Sequence, residues 1–108
     1  MKPRVELLWW EGCPSWPDTL AQLKQVLAEE GLEPDSVEVR EVTSDAGAEQ
    51  ESFVGSPTIR IDGRDVSPPP AGEPAGLTCR VYHLPDGRVS PTPDPEVVRA
   101  AVRARRAA

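Results

Sequence analysis

Cysteine and histidine are scarce in this chain: two of the first and one of the second among 108 residues. Two cysteines are too few for the stapled scaffold of a small secreted protein. With a single histidine they cannot supply four zinc ligands without help from acids. No metal and no cofactor is therefore expected. Long apolar runs are also missing. The run from Val5 to Trp10 is interrupted by Glu6 and closed by Glu11, too short for a signal-peptide core or a membrane span. Basic charge is in deficit, with 12 Lys and Arg against 18 Asp and Glu and a net charge of −6. A nucleic-acid partner, which wants a basic stripe, is not expected. There are no internal repeats, no GxGxxG and no phosphate-binding P-loop.

These absences point to a cytoplasmic protein with no membrane partner. In that compartment thiols are kept reduced, and a cysteine pair is more often catalytic or metal-binding than structural. The length suits a single domain over residues 1–108, large enough to bury a core without a staple. The chain does not reveal its oligomeric state.

Val5 to Trp10 is apolar on both alternating sets apart from Glu6, the pattern of a central strand covered on both faces. Gly12-Cys13-Pro14-Ser15-Trp16-Pro17 ends it, because two prolines fit the first turn of a helix but not a central ladder. Trp16, Leu20, Leu23, Val26 and Leu27 form one helical stripe, which predicts a helix from about Ser15 to Glu30, stopped by Gly31. Val37, Val39 and Val42 mark a second strand within 36–43. It is parallel to the first through a right-handed βαβ crossover. Asp45 to Phe53 reads as a short helix. Thr58-Ile59-Arg60-Ile61, Asp62-Gly63 and Arg64-Asp65-Val66 read as a strand, a two-residue turn and a returning strand.

Residues 67–92 read as an insertion. Ser67 to Gly76 is a Pro- and Gly-rich loop, and Thr78 to His83 looks extended. Pro85-Asp86-Gly87 turns, so that Arg88-Val89-Ser90 can close a small hairpin. Asp94 caps a last helix that starts at Pro95. Its basic residues Arg99, Arg103, Arg105 and Arg106 suit the negative end of the helix dipole.

The predicted fold class is α/β: a four-stranded mixed sheet, made of a βαβ unit and a β-hairpin, flanked by helices. With Cys13 at the first strand-to-helix junction, this order resembles the thioredoxin superfamily. The resemblance is carried by Trp9 and Trp10 ending the first strand, Cys13 before the first helix, Ser56-Pro57 opening the third strand and Asp62-Gly63 turning the hairpin. The stretch Gly55 to Gly63 is similar to glutaredoxins. The Gly-Cys-Pro junction with a later Cys79-Arg80-Val81-Tyr82 resembles a group of small bacterial thioredoxin-like proteins. The resemblance implies a cis peptide at Ser56-Pro57 and a substrate surface of Trp10, Pro14, Trp16, Ser56 and Pro57, with the Ser56 backbone offered to an extended peptide or thiol. It departs from the family at Trp16, which stands where a Cys-x-x-Cys motif has its second cysteine.

Cys13 is the candidate nucleophile, since the start of a helix favours thiolate. Trp16 can cover that thiol and oppose ionisation by burying it. Cys79 has two readings. The fourth strand returns to the end of the sheet where Cys13 lies, so the proline-rich loop leaves from there and Cys79 can resolve an adduct from outside the motif. Alternatively it is a buried strand residue between Leu77 and Val81. His83 reads as a solvated side chain. Arg60, Arg64 and Arg80 read as surface charges that can also steer an anionic thiol. The expected function is thiol-based redox chemistry on a thiol or disulfide substrate, protein or small molecule, through Cys13 with Cys79. The alternatives are a non-catalytic binding module and soft-metal or organomercurial binding by the two sulfurs.

Overall fold

The computed structural model describes residues 2–107. The first strand, β1 (Val5–Trp9), leads into helix α1 (Trp16–Glu29). A 3-10 turn at Pro34–Ser36 precedes β2 (Glu38–Glu41), then helix α2 (Asp45–Glu51), β3 (Thr58–Ile61) and β4 (Arg64–Asp65). A separate hairpin of β5 (Tyr82–His83) and β6 (Val89–Ser90) comes before helix α3 (Pro95–Ala107). The four-stranded sheet has the order β2-β1-β3-β4, with β1 parallel to β2 and antiparallel to β3. The chain is thus mixed α/β, with a four-stranded mixed sheet and three α-helices among the described residues.

The double apolar pattern of β1 has its expected consequence. Because side chains alternate across a strand, Val5 and Leu7 join the cluster built with α1 and α3 through Leu23, Leu27, Val98 and Val102. Leu8 faces the other way and packs with Val42, Ala48 and Phe53. Glu6 shares that second face and is only 3% exposed. Its carboxylate is satisfied by Arg40 at 2.6 Å and Arg4 at 3.2 Å, as burial of a charge requires.

Local signals set the element ends. Gly31 takes φ +78°, its N–H donates to Ala28 and that of Leu32 to Leu27, so α1 closes in the Schellman pattern. Ser44 caps α2 by accepting the Gly47 N–H at 3.0 Å. Asp62 and Gly63 both have positive φ, 52° and 80°, the requirement of a type I′ hairpin turn. The Asp94 carboxylate accepts the Glu96 N–H at the start of α3. Arg99 and Arg103 reach Glu29 and Glu30, and Arg105 reaches Asp62. The terminal arginines therefore clamp α3 to the end of α1 and to the β3–β4 turn.

Two expectations need correction. The second strand is shorter than 36–43, and Val39 is 43% exposed, because β2 is an edge strand. Cys79 is not buried between Leu77 and Val81. Along 79–83 the burial alternates the other way, with Arg80 and Tyr82 inside and Cys79, Val81 and His83 outside. Val81 is 58% exposed. No helix among the described residues is long and apolar enough to cross a membrane.

Candidate functional site

The end of β1 and the start of β3 meet at Ser56. The Ser56 hydroxyl accepts the Trp10 N–H at 3.0 Å, and the Cys13 N–H donates to the Trp10 carbonyl at 3.1 Å. The chain therefore turns sharply after β1 and brings Cys13 back over Ser56. The Cys13 sulfur lies 3.3 Å from the Ser56 carbonyl oxygen and 3.2 Å from the Ser15 hydroxyl. Cys13 precedes Ser15, the N-cap of α1, and the Ser15 N–H is among the donors to its sulfur.

Burial pushes the Cys13 thiol up. Hydrogen bonds from the Ser15 hydroxyl, Cys79, the Ser15 N–H and Ser56 outweigh it and leave the group below the ordinary thiol range. The Ser56 carbonyl accepts the S–H of the neutral form, but it also accepts the Arg80 N–H at 2.8 Å, which weakens its hold on that proton. The Cys79 thiol is pushed the opposite way, first by its hydrogen bond to Cys13, then by burial and by the Cys13 charge. The two sulfurs are thus shifted in opposite directions, and both are free.

Cys79 reaches this place on a strap, residues 78–80, that lies parallel to Ser56. The Ser56 N–H donates to the Thr78 carbonyl at 2.8 Å, and the Arg80 N–H returns to the Ser56 carbonyl. Arg80 is the anchor. Its guanidinium donates to the Asp65 carboxylate at 2.7 Å, to the Thr58 hydroxyl at 3.2 Å and to the Ser67 carbonyl. It also sits over the Tyr82 ring, 4.7 Å from the centroid. The Tyr82 hydroxyl donates to the Pro57 carbonyl, and burial pushes its ionisation far up, which keeps it a donor. Gly55 admits the strap: a Cβ there, at φ +150°, would meet the Arg80 Cα at 3.0 Å.

The Ser56–Pro57 peptide is cis. Of the residues expected to form a substrate surface, only Pro14 is exposed. Ser56 is fully buried and Pro57 nearly so, and both backbone polar groups of Ser56 are already paired with the strap. They are not open to an extended substrate because the chain itself occupies that edge. Trp16 stacks on Trp9 at 4.2 Å between centroids and packs against the α1–α3 core. Trp10 packs against the other cluster and lies over Gly12, where a Cβ would meet its ring at 2.3 Å. Pro14 is exposed beside Cys13. Arg60 pairs with Glu51 and Arg80 with Asp65, so neither is left to steer an anionic thiol. Arg64 and His83 are exposed, as expected.

Sequence reasoning gave no role to Ser15, Gly55 or Tyr82, and it read Arg80 as a surface charge, whereas the structure buries it. The spacing of Arg80 and Tyr82 holds a usable signal, since residues two apart share a face of an extended segment. No family model matches the chain, and neither the curated proteins nor the solved structures give a match.

Proposed function

We propose that the chain is a thioredoxin-like thiol redox protein in which Cys13 and Cys79 cycle between dithiol and disulfide. The observation that carries this reading is the meeting of both cysteines at Ser56: one sulfur rests on its carbonyl, and the other residue bridges its backbone. The thioredoxin-like assignment is supported by the mixed sheet order and by a cysteine at the β1–α1 junction beside a cis-proline. The missing partner of a Cys-x-x-Cys motif is supplied from the strap. In the net reaction a substrate disulfide takes two electrons from the protein and leaves as two thiols, while the Cys13–Cys79 bond forms. Two external thiols reverse it and leave as their disulfide. A reducing cytoplasm suits that cycle.

The tryptophans give a binding-module reading no support, since Trp9, Trp10 and Trp16 are all partly buried against the core clusters. The proximity of two sulfurs also fits linear binding of one soft ion, and the same assay separates the two. Reduced protein is mixed with excess cystamine, and released thiol is counted. Two cysteamines released per protein, with no protein thiol left and no cysteamine bound, is the expected result. Retention of both protein thiols, together with tight one-to-one binding of a soft ion, would favour the metal reading instead.

A further inference from the structure

Cys13 is 2% exposed, while Cys79 is exposed. An outside molecule therefore meets Cys79 before the buried Cys13. Cys79 also lines a groove of about 530 Å³ between the strap and the proline-rich loop. Val54, Pro68, Pro70, Val81 and His83 are among its walls. That volume is within the range of small-molecule sites. The outward alternation of Cys79, Val81 and His83 is what turns the sulfur to this side. Arg80, also in the wall, is held by Asp65, so this cation is not free for an anionic ligand.

Resting on the redox reading above, we propose that Cys79 is the sulfur that carries the mixed disulfide with an outside thiol. The groove beside it holds the substituent of that thiol, a small neutral or cationic one. Cys13 works from behind. In the disulfide form, an entering thiolate bonds to the Cys79 sulfur, the Cys13–Cys79 bond breaks, and its electron pair leaves on Cys13. The Ser15 N–H and hydroxyl are placed to receive that charge, and a sulfur of low proton affinity is the better leaving group. A second thiolate then displaces the Cys79 thiolate and departs as a small disulfide. In the oxidising direction the Cys13 thiolate attacks the Cys79 sulfur of the mixed disulfide and expels the small thiolate. Every step exchanges one sulfur–sulfur bond for another, so the thiol and its disulfide are the only co-reactants.

The test uses cystamine as the probe. Adduct formation is timed in the Cys13→Ser and Cys79→Ser variants, folded and in denaturant. Cysteamine is expected on Cys79 at least roughly tenfold faster than on Cys13 in the folded proteins, with the gap closing in denaturant, because access controls thiol reactivity. Equal folded rates, or a faster Cys13, would overturn the proposal. The wild type provides a check that needs no variant. The two cysteines fall on separate tryptic peptides, residues 5–24 and 65–80, so acid-quenched early adducts can be assigned. Cysteamine on 65–80 is expected, and a predominance on 5–24 would overturn the assignment while leaving the redox cycle standing. An adduct that never collapses to the intramolecular disulfide would instead defeat the redox reading itself.

Discussion

The sheet with its helices and the strap of residues 78–80 are held by different forces. In the first, β1 lies between two apolar clusters, and Leu7, Leu8 and Leu27 are fully buried. In the second, Arg80 and, just beyond it, Tyr82 of β5 point inward, and the strap is fixed by ion pairing, hydrogen bonds and one parallel bridge. Apolar burial is non-directional and spread over many residues. A guanidinium fork is directional and concentrated in one side chain. The frame therefore supplies stability, and the strap supplies position: it puts a second thiol beside the first.

That division can be broken by mutation. Leu27→Ala should cost about 2–5 kcal/mol, seen as a lower urea midpoint. It should leave the Cys13–Cys79 pairing of the folded fraction unchanged. Arg80→Ala should cost about 3 kcal/mol, because it leaves the Asp65 carboxylate, 15% exposed, without its counter-ion. Unlike Leu27→Ala, it should also abolish disulfide formation in the protein that remains folded. Comparison with the double variant Arg80→Ala, Asp65→Asn separates the stranded charge from the lost anchor: stability should partly return, and disulfide formation should not.

Gly55→Ala is a sharper probe of the strap. The added methyl would press on the Arg80 backbone at about its Cα, with an expected cost of about 1–3 kcal/mol. Hydrogen-exchange protection should fall at Ser56 and Arg80 and hold in β1 and α1. Uniform loss of protection would show that strap and frame unfold together.

Ionisation tests the site at smaller scale. The Cys13 thiol lies below the ordinary range partly through Cys79. Its thiolate absorbance should therefore appear at lower pH than that of a free cysteine, and Cys79→Ala should move the curve toward higher pH. The smallest expected effect belongs to the clamp between α1 and α3. Hydrogen bonding by Arg99 to Glu29 and by Arg103 to Glu30 holds both carboxyls below their usual range. Groups lowered in the folded state add stability above the carboxylate range and lose it as pH falls through the folded values. Thermal melts should show a slight loss of stability with acid that added salt and Arg103→Ala both diminish.

The frame was largely legible in the sequence because its signals are local and periodic. The apolar run of β1, the stripe from Trp16 to Leu27 and the Asp62-Gly63 turn each state their structure within a few residues. So does Cys13 at the β1–α1 junction. The strap's one local signal, the spacing of Arg80 and Tyr82, does not place it against Ser56. A single bridge to Ser56 has no periodicity, and its partner lies far away in the chain. Hydropathy also points the wrong way there. Leu77, Cys79 and Val81 look like an inward face, but Arg80 and Tyr82 go inside because Asp65, Thr58 and the Pro57 carbonyl satisfy them. A shift of one residue in such an alternation reverses every side chain. Here it removes the core reading of Cys79 and turns the residue to the groove.

The most direct measurement is the mass of the wild-type monomer after mild oxidation, followed by tryptic mapping without reduction. A loss of two hydrogens, with peptides 5–24 and 65–80 found linked, is the expected result. Two free, labelled thiols in the folded monomer after the same treatment would contradict the account.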